Sequence, residues 1–294
     1  MILPTFLIIG AAKAGTTALY EYCRQHPDIY MSPLKETNFF AYEGEASETY
    51  WLGYDRQHKY PVRTLEAYAD LFSRGAGATA RGEASPLYLE CSGAPERIRR
   101  VLPEAKLVAC LRNPAERAFS AWLMHVRMGR ASSNLAEAFP LEAHYVAAGF
   151  YHRLLEPYFD LFPRQQIDVI LFEELQQDPA GVMRRLFRFL GVDAEFRPDV
   201  EVRHNVGTFP QHQGLNSLLL MHALRRWLQP IVPEWLRQAA KRLRERNLGT
   251  APPLPPDLRQ QLSGIYREDI LRLQDLLGRD LSGWLAEPSA RGNT

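Results

Sequence analysis

A short apolar run that ends in a glycine-rich loop constrains this chain more than any other feature. Residues 6–9 are continuously apolar and stop at Gly10, which is typical of a strand buried on both faces. Residues 17–26 then have the pattern of a helix that ends before Pro27. The order of strand, glycine loop and helix is the first half of a βαβ unit, so it predicts an α/β fold.

The loop at residues 10–17 reads GAAKAGTT and has the composition of an anion-binding turn. Small residues let the backbone approach a ligand closely, and the helix N-terminus behind the loop offers N–H groups to an anion. Lys13 adds a mobile positive charge, and the threonines add hydroxyl donors. A plain tight turn is the alternative, but the coincidence of these residues favours phosphate binding. The predicted phosphate ligands are Lys13, Ala14, Gly15, Thr16 and Thr17.

The loop differs from the Walker A sequence of P-loop kinases. In that motif the lysine follows the last glycine and precedes the Ser or Thr that holds magnesium. Here Lys13 comes two residues before Gly15, which leaves no obvious magnesium ligand. A P-loop nucleotide kinase or NTPase is therefore the disfavoured alternative function.

Further strands and helices alternate along the chain. Apolar strands are predicted at residues 106–111 and 166–172, with a weaker one near residues 78–83. Helices are predicted at residues 115–128 and 179–190, so the sheet is expected to be mostly parallel and flanked by helices. Ligands of such sheets bind at the carboxyl ends of the strands, where the loops after residues 9 and 111 both lie.

We expect one domain over residues 1–294, with a core at about 1–200 and a helical extension at about 210–286. The extension ends in a predicted helix at residues 257–277. Before it, residues 222–247 carry seven Lys or Arg and two Glu, interleaved with tryptophan and aliphatic residues. Three interpretations stay open: a solvated helical face, a cover for an anionic glycan, or a patch that rests on a membrane and reaches a lipid.

Charge and cysteine content narrow the function classes. The formal net charge is +1, which gives no global field for a nucleic-acid partner. Cys23, Cys91 and Cys110 are too few and too scattered for a disulfide framework or a metal cluster, so no metal is expected. No stretch approaches the ~20 apolar residues of a membrane span, and the N-terminus lacks a basic n-region. We therefore expect a cytoplasmic protein.

Residues 6–19, FLIIGAAKAGTTAL, resemble the 5′-phosphosulfate loop of sulfotransferases that use 3′-phosphoadenosine 5′-phosphosulfate (PAPS). The resemblance is to the branch with the heparan sulfate N- and O-sulfotransferases and their bacterial relatives. His26-Pro27, KETNFF at residues 35–40, GEASP at residues 82–86 and the C-terminal Asp280-Leu281 with Trp284 follow in the same order. The resemblance implies a single P-loop-like domain that transfers a sulfo group from PAPS to a hydroxyl or amine without a metal.

Residues 111–120, LRNPAERAFS, resemble the family's 3′-phosphate motif, which implies that Arg112 and Ser120 contact that phosphate. A guanidinium at the end of a buried strand can grip phosphate through paired N–H donors. The alternatives are an ion pair of Arg112 with Glu116 and a packing role for Ser120. Arg203 falls where the family has a further nucleotide loop, although the cysteine-bridged loop and Lys-Gly-Arg element of heparan-type enzymes are absent there. An exposed loop arginine is its alternative.

The resemblance also assigns the chemistry. Glu36 matches the catalytic glutamate that takes the acceptor proton, and Lys13 would assist the departing phosphate oxygen. Lys35 contacts the sulfonate or the acceptor, or is simply solvated. Glu83 matches an acidic residue near the acceptor, although its usual lysine neighbour is alanine here. Tyr151, in GFY at residues 149–151, lines the cleft or packs in the core.

Histidine is the rival general base, because cytosolic sulfotransferases for small molecules use one. The candidates are His26, His125, His152 and His204, and none occupies a matching motif. His26 is instead expected to face the C-terminal dipole of its helix. The acceptor stays open between a saccharide, which the resemblance favours, and a lipid, polyketide or other small-molecule hydroxyl. The oligomeric state is not addressed by any motif.

Overall fold

A parallel sheet of five strands organises the computed structural model, which describes residues 1–42, 62–141, 143–200, 208–210, 243 and 247–286. The strands are β1 (Phe6–Gly10), β2 (Ile29–Met31), β3 (Ala80–Ala84), β4 (Lys106–Leu111) and β5 (Ile167–Leu171). Their order across the sheet is β2–β3–β1–β4–β5, and every neighbouring pair is parallel. The predicted fold class, an α/β domain with a P-loop-like parallel sheet, is confirmed.

Helices occupy most of the remaining described chain. They are α1 (Thr16–Arg24), α2 (Leu65–Asp70), α3 (Leu87–Glu90), α4 (Ala94–Val101), α5 (Pro114–Arg127), α6 (His144–Ala147), α7 (Tyr151–Leu161), α8 (Phe172–Gln177), α9 (Pro179–Leu190) and α10 (Pro256–Leu277). Short 3₁₀ turns lie at Phe39–Ala41, Ser73–Gly75, Leu135–Glu137, Arg164–Gln166 and Ser282–Trp284. A separate antiparallel pair joins β6 (Thr208–Pro210) to β7 (Leu248–Thr250).

Successive residues of β1 enter two different cores, which explains its unbroken apolar run. Leu7 and Ile9 pack with side chains of α3, α4, α5, α7 and α10. Phe6 and Ile8 pack on the opposite face with side chains of α1 and α9. A strand between two helical layers has no solvent face, so polar residues at alternate positions would be buried without partners.

The structure adds one strand to the central sheet that the sequence does not predict. The weak strand expected near residues 78–83 is β3, an interior strand beside β1. The edge strand β2 has only three residues and too little apolar sequence to be recognised. Its extended backbone is held by pairing with β3, as in the register of Tyr30 with Arg81.

Helix ends carry the expected local signals. The side chain of Asp178 caps α9 by accepting a hydrogen bond of 2.8 Å from the N–H of Gly181. Gly191 ends the same helix in the left-handed conformation at φ 82°. Pro114 occupies the first turn of α5, as predicted.

The predicted C-terminal helix is α10, and it packs into the same core as α7. Ile265 and Leu276 are only half-buried, whereas Tyr266 is fully buried and donates a hydrogen bond of 2.8 Å to the carbonyl of Val146. Among the helices of the described residues, none combines the length and the apolar composition of a membrane span. Of residues 222–247, only 243 and 247 belong to the described part, so the interpretations of that basic segment stay predictions.

Candidate functional site

The loops that follow four strands of the sheet meet at its carboxyl edge. Lys13 follows β1, Glu36 follows β2, Ser85 follows β3 and Arg112 follows β4. Hydrogen bonds join these loops directly. The N–H of Glu36 donates to the carbonyl of Ala84 over 3.0 Å, and the N–H of Ser85 donates to the carbonyl of Ile8 over 3.1 Å. The sheet therefore gathers the predicted site residues where ligands of parallel sheets bind.

The loop after β1 bends through left-handed backbone at Lys13 (φ 69°) and Gly15 (φ 99°). A Cβ at Gly15 would lie 2.9 Å from the ring of Phe172, so conformation and space both require glycine there. The thiol of Cys110 lies 2.8 Å from the carbonyl of Ala14 and donates to it, which ties the loop to β4. The loop is thus held from behind by the sheet.

The first turn of α1 presents unused donors. In the described chain, the N–H groups of Thr16, Thr17 and Ala18 make no hydrogen bond to a backbone carbonyl. Thr16 is buried, whereas Thr17 is half-buried. These N–H groups and the positive end of the helix dipole are groups that favour an anion, and they lie behind Lys13.

Lys13 lies in a strongly charged neighbourhood. Burial lowers the pKa of Lys13, the positive charges of Arg127 and Arg112 lower it further, and the carboxylate of Glu36 raises it. These shifts require that all three side chains lie within electrostatic reach of the Lys13 ammonium. The structure therefore brings Lys13, Arg112 and Glu36 together and adds Arg127, which the sequence analysis did not select.

Arg127 could have been found from its spacing. It lies on α5 seven residues after Ser120, which is two helical turns, so the two positions share a face of the helix. Ser120 itself is half-buried, and its hydroxyl has no hydrogen-bond partner within the described residues. That face of α5 therefore turns toward the same edge as Lys13.

The guanidinium of Arg112 makes two contacts within the protein. Its guanidinium donates to Oε2 of Glu116 over 3.2 Å and lies 5.1 Å from the ring centroid of Phe172. The other carboxylate oxygen of Glu116 accepts a hydrogen bond from Arg259 of α10. The ion pair with Glu116 weighed in the sequence analysis therefore exists, and it places a second guanidinium beside the first.

Tyr151 packs rather than lining an open cleft. Its ring is fully buried, and its hydroxyl donates a hydrogen bond of 2.9 Å to the carbonyl of Arg112. The ring also lies 6.0 Å from that of Trp284, measured between centroids. Tyr151 thus fixes the backbone of the second motif from behind, which matches the packing alternative.

Lys35 and Glu36 form an ion pair of 2.8 Å at the mouth of the loop after β2. The side chain of Glu36 is 54% exposed and that of Lys35 is 23% exposed, so the carboxylate faces solvent while the ammonium is partly covered. The backbone of Glu36 is left-handed at φ 65°. The carboxylate is accessible to an acceptor, and the neighbouring ammonium is paired with it rather than solvated alone.

Glu83 is placed differently from what a direct acceptor contact needs. It is 0% exposed, and its carboxylate accepts hydrogen bonds from the hydroxyls of Tyr68, Tyr88 and Ser85. Burial raises the pKa of Glu83, and hydrogen bonds from Tyr88, Ser85 and Tyr68 oppose this effect. The geometry corrects the expectation that this side chain touches the acceptor, because protein hydroxyls surround it.

The histidines differ sharply in position. His26 is a core residue: Nδ1 accepts from the N–H of Asp28 over 3.1 Å, so Nε2 donates to the carbonyl of Asp193 over 2.9 Å. His152 lies on α7, 4.0 Å from Glu156.

His125 is buried, and desolvation together with the charges of Arg130 and Lys13 lowers its pKa. Among the described candidates it is the rival base nearest the charged site.

The remaining predictions concern Arg203 with His204, and a metal site. Arg203 and His204 belong to residues 201–207, which the structure does not describe. Within the described chain, no cluster of three or more His, Cys, Asp or Glu side chains is arranged to hold a metal ion. The candidate site therefore combines Lys13, Glu36, Arg112 and Arg127, with Ser120 on the same face of α5 as Arg127.

Comparison with known proteins agrees with this geometry. Residues 4–196, which contain all five strands of the sheet, match the sulfotransferase family model. Human bifunctional heparan sulfate N-deacetylase/N-sulfotransferase 3 is 28% identical over 305 aligned positions, covering 97% of this chain and 31% of the relative. The chain thus spans about a third of the length of that curated relative.

Solved structures give the same result. A sulfotransferase from Alicyclobacillus acidocaldarius superposes with a TM-score of 0.72 at 31% identity, over 97% of this chain and 100% of that one. The sulfotransferase domain of the Synechococcus PCC 7002 olefin synthase has a TM-score of 0.52 at 16% identity, over 96% and 97% of the two chains, and supports the fold alone. With its parallel sheet, its glycine-rich loop after β1 and these matches taken together, this chain belongs to the sulfotransferase family.

Proposed function

We propose that this chain transfers the sulfo group of PAPS to a hydroxyl or amine of a saccharide acceptor. Glu36 acts as the general base, and Lys13 assists the leaving phosphate. The observation that carries the proposal is the shared electrostatic neighbourhood of Lys13, Arg112 and Glu36 at the carboxyl edge of the sheet. Two cations for a nucleotide and one accessible carboxylate for an acceptor are the groups that this reaction requires.

The residues present fit a nucleotide with a phosphosulfate at one end and a phosphate at the other. The unused N–H groups of Thr16 and Thr17, together with Lys13, suit the 5′-phosphosulfate. Arg112 and Ser120 suit the 3′-phosphate, since a guanidinium and a hydroxyl without a partner both donate to phosphate oxygens. PAPS would supply the activated sulfo group as the donor substrate.

Glu36 and Lys13 divide the proton and charge changes of the transfer. Glu36 accepts the proton of the acceptor hydroxyl or amine as the bond from its oxygen or nitrogen to sulfur forms. Lys13 neutralises the charge left on the phosphate oxygen when its bond to sulfur breaks. The products are the sulfated acceptor and adenosine 3′,5′-bisphosphate, so atoms and charge balance without a metal.

The names of the curated relatives support a saccharide acceptor, because they include heparan sulfate N-sulfotransferases. This chain covers about a third of the first of them, so the acceptor is a proposal about class only. A panel of saccharide amines, saccharide hydroxyls, lipid hydroxyls and polyketide hydroxyls with ³⁵S-labelled PAPS tests it. Labelling confined to lipids or polyketides would contradict the saccharide assignment.

The matched variants Glu36→Gln and His125→Gln test the base. We expect Glu36→Gln to lower kcat by roughly a hundredfold or more and to leave the Kd for adenosine 3′,5′-bisphosphate unchanged. We expect His125→Gln to retain transfer within a few-fold, because the His125 ring is buried beside Lys13 and is therefore not accessible to an acceptor. The reverse result would give the base role to His125.

Tight magnesium-dependent ATP binding without bisphosphate binding in calorimetry would instead support a P-loop kinase or NTPase.

A further inference from the structure

A fully buried carboxylate on β3 is surrounded by hydroxyl groups and lies directly beneath the loop that carries Glu36. Oε1 of Glu83 accepts hydrogen bonds from Tyr88 over 2.5 Å and from Tyr68 over 3.1 Å. Oε2 accepts a hydrogen bond of 2.7 Å from Ser85. All four side chains have no exposed surface, so protein groups alone satisfy this carboxylate.

Two of the three hydroxyls continue to the loop after β2. The hydroxyl of Tyr88 lies 3.0 Å from Oγ1 of Thr37, and Oγ1 accepts in turn from the N–H of Phe39 over 3.4 Å. Oγ of Ser85 accepts a hydrogen bond of 3.0 Å from the N–H of Asn38. The residues on the loop side of these contacts are the three that follow Glu36.

The carboxylate of Glu83 sets the direction of both chains of hydrogen bonds. It accepts from Tyr88 and from Ser85, so each of these hydroxyls points its proton at it. Their oxygen lone pairs then face the loop, where Thr37 donates to Tyr88 and the N–H of Asn38 donates to Ser85. A neutral side chain at position 83 would remove this fixed direction.

The loop needs such support because its backbone is unfavourable by itself. Glu36 and Asn38 adopt left-handed backbone at φ 65° and φ 51°, and neither is glycine. Left-handed backbone is sterically unfavourable for an L-residue, because it brings Cβ close to the following carbonyl oxygen. The contacts from β3 and α3 therefore hold Glu36 in a conformation that the free loop would leave.

We propose that Glu83 is a positioning residue for Glu36: its buried carboxylate orients Tyr88 and Ser85, and these hold the loop that presents Glu36 to the acceptor. The inference rests on the proposed function, in which Glu36 is the general base. It assigns to Glu83 a role without acceptor contact. It also predicts that the two tyrosines bound to the same carboxylate oxygen differ in their effect on catalysis.

The tyrosines supply a matched pair of variants. Tyr68→Phe and Tyr88→Phe each remove one hydroxyl from Oε1 of Glu83, and both rings are fully buried. Only the Tyr88 hydroxyl also contacts Thr37. We expect both variants to lower Tm, but a fall in kcat of roughly tenfold to a hundredfold for Tyr88→Phe alone, with the Kd for adenosine 3′,5′-bisphosphate unchanged.

A double-mutant cycle shows whether the effect acts through Glu36. In a Glu36→Gln background, Tyr88→Phe should lower the residual transfer no further, because the group being positioned is already lost. An equal fold-loss in both backgrounds, or equal kcat values for the two tyrosine variants, would overturn the proposal. If Tyr88→Phe does not fold, Ser85→Ala takes its place, since it breaks the other contact to the loop. Full activity of Glu36→Gln would instead refute the proposed base.

Discussion

The side-chain amide of Asn113 donates a hydrogen bond of 3.2 Å to the main-chain carbonyl of Trp284, a residue 171 positions further along the chain. The oxygen of the same amide caps α5 by accepting from the N–H groups of Ala115 and Glu116 over 3.0 Å and 3.3 Å. One side chain therefore joins the start of the Arg112 motif to the C-terminal motif. This contact brings the two motifs together in the fold although they are far apart in the chain.

Asn113→Ser should separate the two functions of this amide. A serine keeps a capping oxygen but is too short to reach Trp284, whereas Asn113→Ala loses both contacts. We expect Asn113→Ala to be less stable than Asn113→Ser by about 1 kcal/mol, or about 2 °C in Tm. Calorimetric melting of the three proteins measures this difference. Equal Tm values for the two variants would mean that the cap contributes nothing.

Gly15→Ala should destabilise the protein and abolish nucleotide binding. Its backbone is left-handed at φ 99°, and a Cβ would lie 2.9 Å from Phe172. We expect a loss of roughly 1–3 kcal/mol, since strain of this kind costs that order of free energy. Gly264→Ala is the matched control, because Gly264 lies inside α10 and a Cβ there meets nothing within 4 Å. It should raise stability by about 1 kcal/mol, as measured by urea denaturation.

The alkaline limb of the pH profile should report Lys13. Burial and the charges of Arg127 and Arg112 lower its pKa below 10.5, so it loses its proton, and its use in catalysis, at a lower pH than an ordinary lysine. We expect kcat/KM to fall at alkaline pH with a midpoint below 10.5. Lys13→Arg should lower the rate and remove this limb, because a guanidinium keeps its proton.

The lowered pKa of Lys13 changes folding stability with pH in the direction opposite to its effect on activity. Between the lowered pKa of folded Lys13 and 10.5, the unfolded chain binds more protons, so the contribution of Lys13 to stability rises with pH. Loss of activity without loss of the circular dichroism signal is therefore expected in this window. A limb that persists unchanged in Lys13→Arg would assign it to another group.

Asp168→Asn should stabilise the protein at neutral pH. Burial raises the pKa of Asp168 despite the nearby charges of Arg185 and Arg279, so its ionised form is disfavoured in the folded state. Asp168 therefore lowers the free energy of unfolding as the pH rises from 3.8 through the raised pKa. We expect a gain of about 2 °C in Tm at pH 7 that vanishes below pH 3.8. The exposed Asp160→Asn is the control and should leave Tm unchanged.

Local sequence patterns were sufficient for four of the five strands of the central sheet. The apolar runs of β1, β4 and β5 are long enough to be recognised, and Gly15 and Pro114 mark the starts of α1 and α5. The three-residue strand β2 could not be predicted, because its extended form is stabilised by pairing with β3 rather than by its own residues. Arg259 could not be placed either, since its contact with Glu116 spans 143 positions.

The sequence by itself determined the fold class, the glycine-rich loop after β1 and the residue types that the loop presents, because these follow from short-range periodicity and from glycine and lysine spacing. Only the tertiary structure decided what the acidic residues do. Glu36 and Glu83 both lie in short motifs that resemble those of the family. The side chain of Glu36 is 54% exposed beside Lys35, whereas Glu83 is 0% exposed and accepts hydrogen bonds from three hydroxyls. Burial and hydrogen-bond partners come from strands and helices distant in sequence, and these contacts distinguish the accessible carboxylate proposed as the base from the carboxylate proposed to position it.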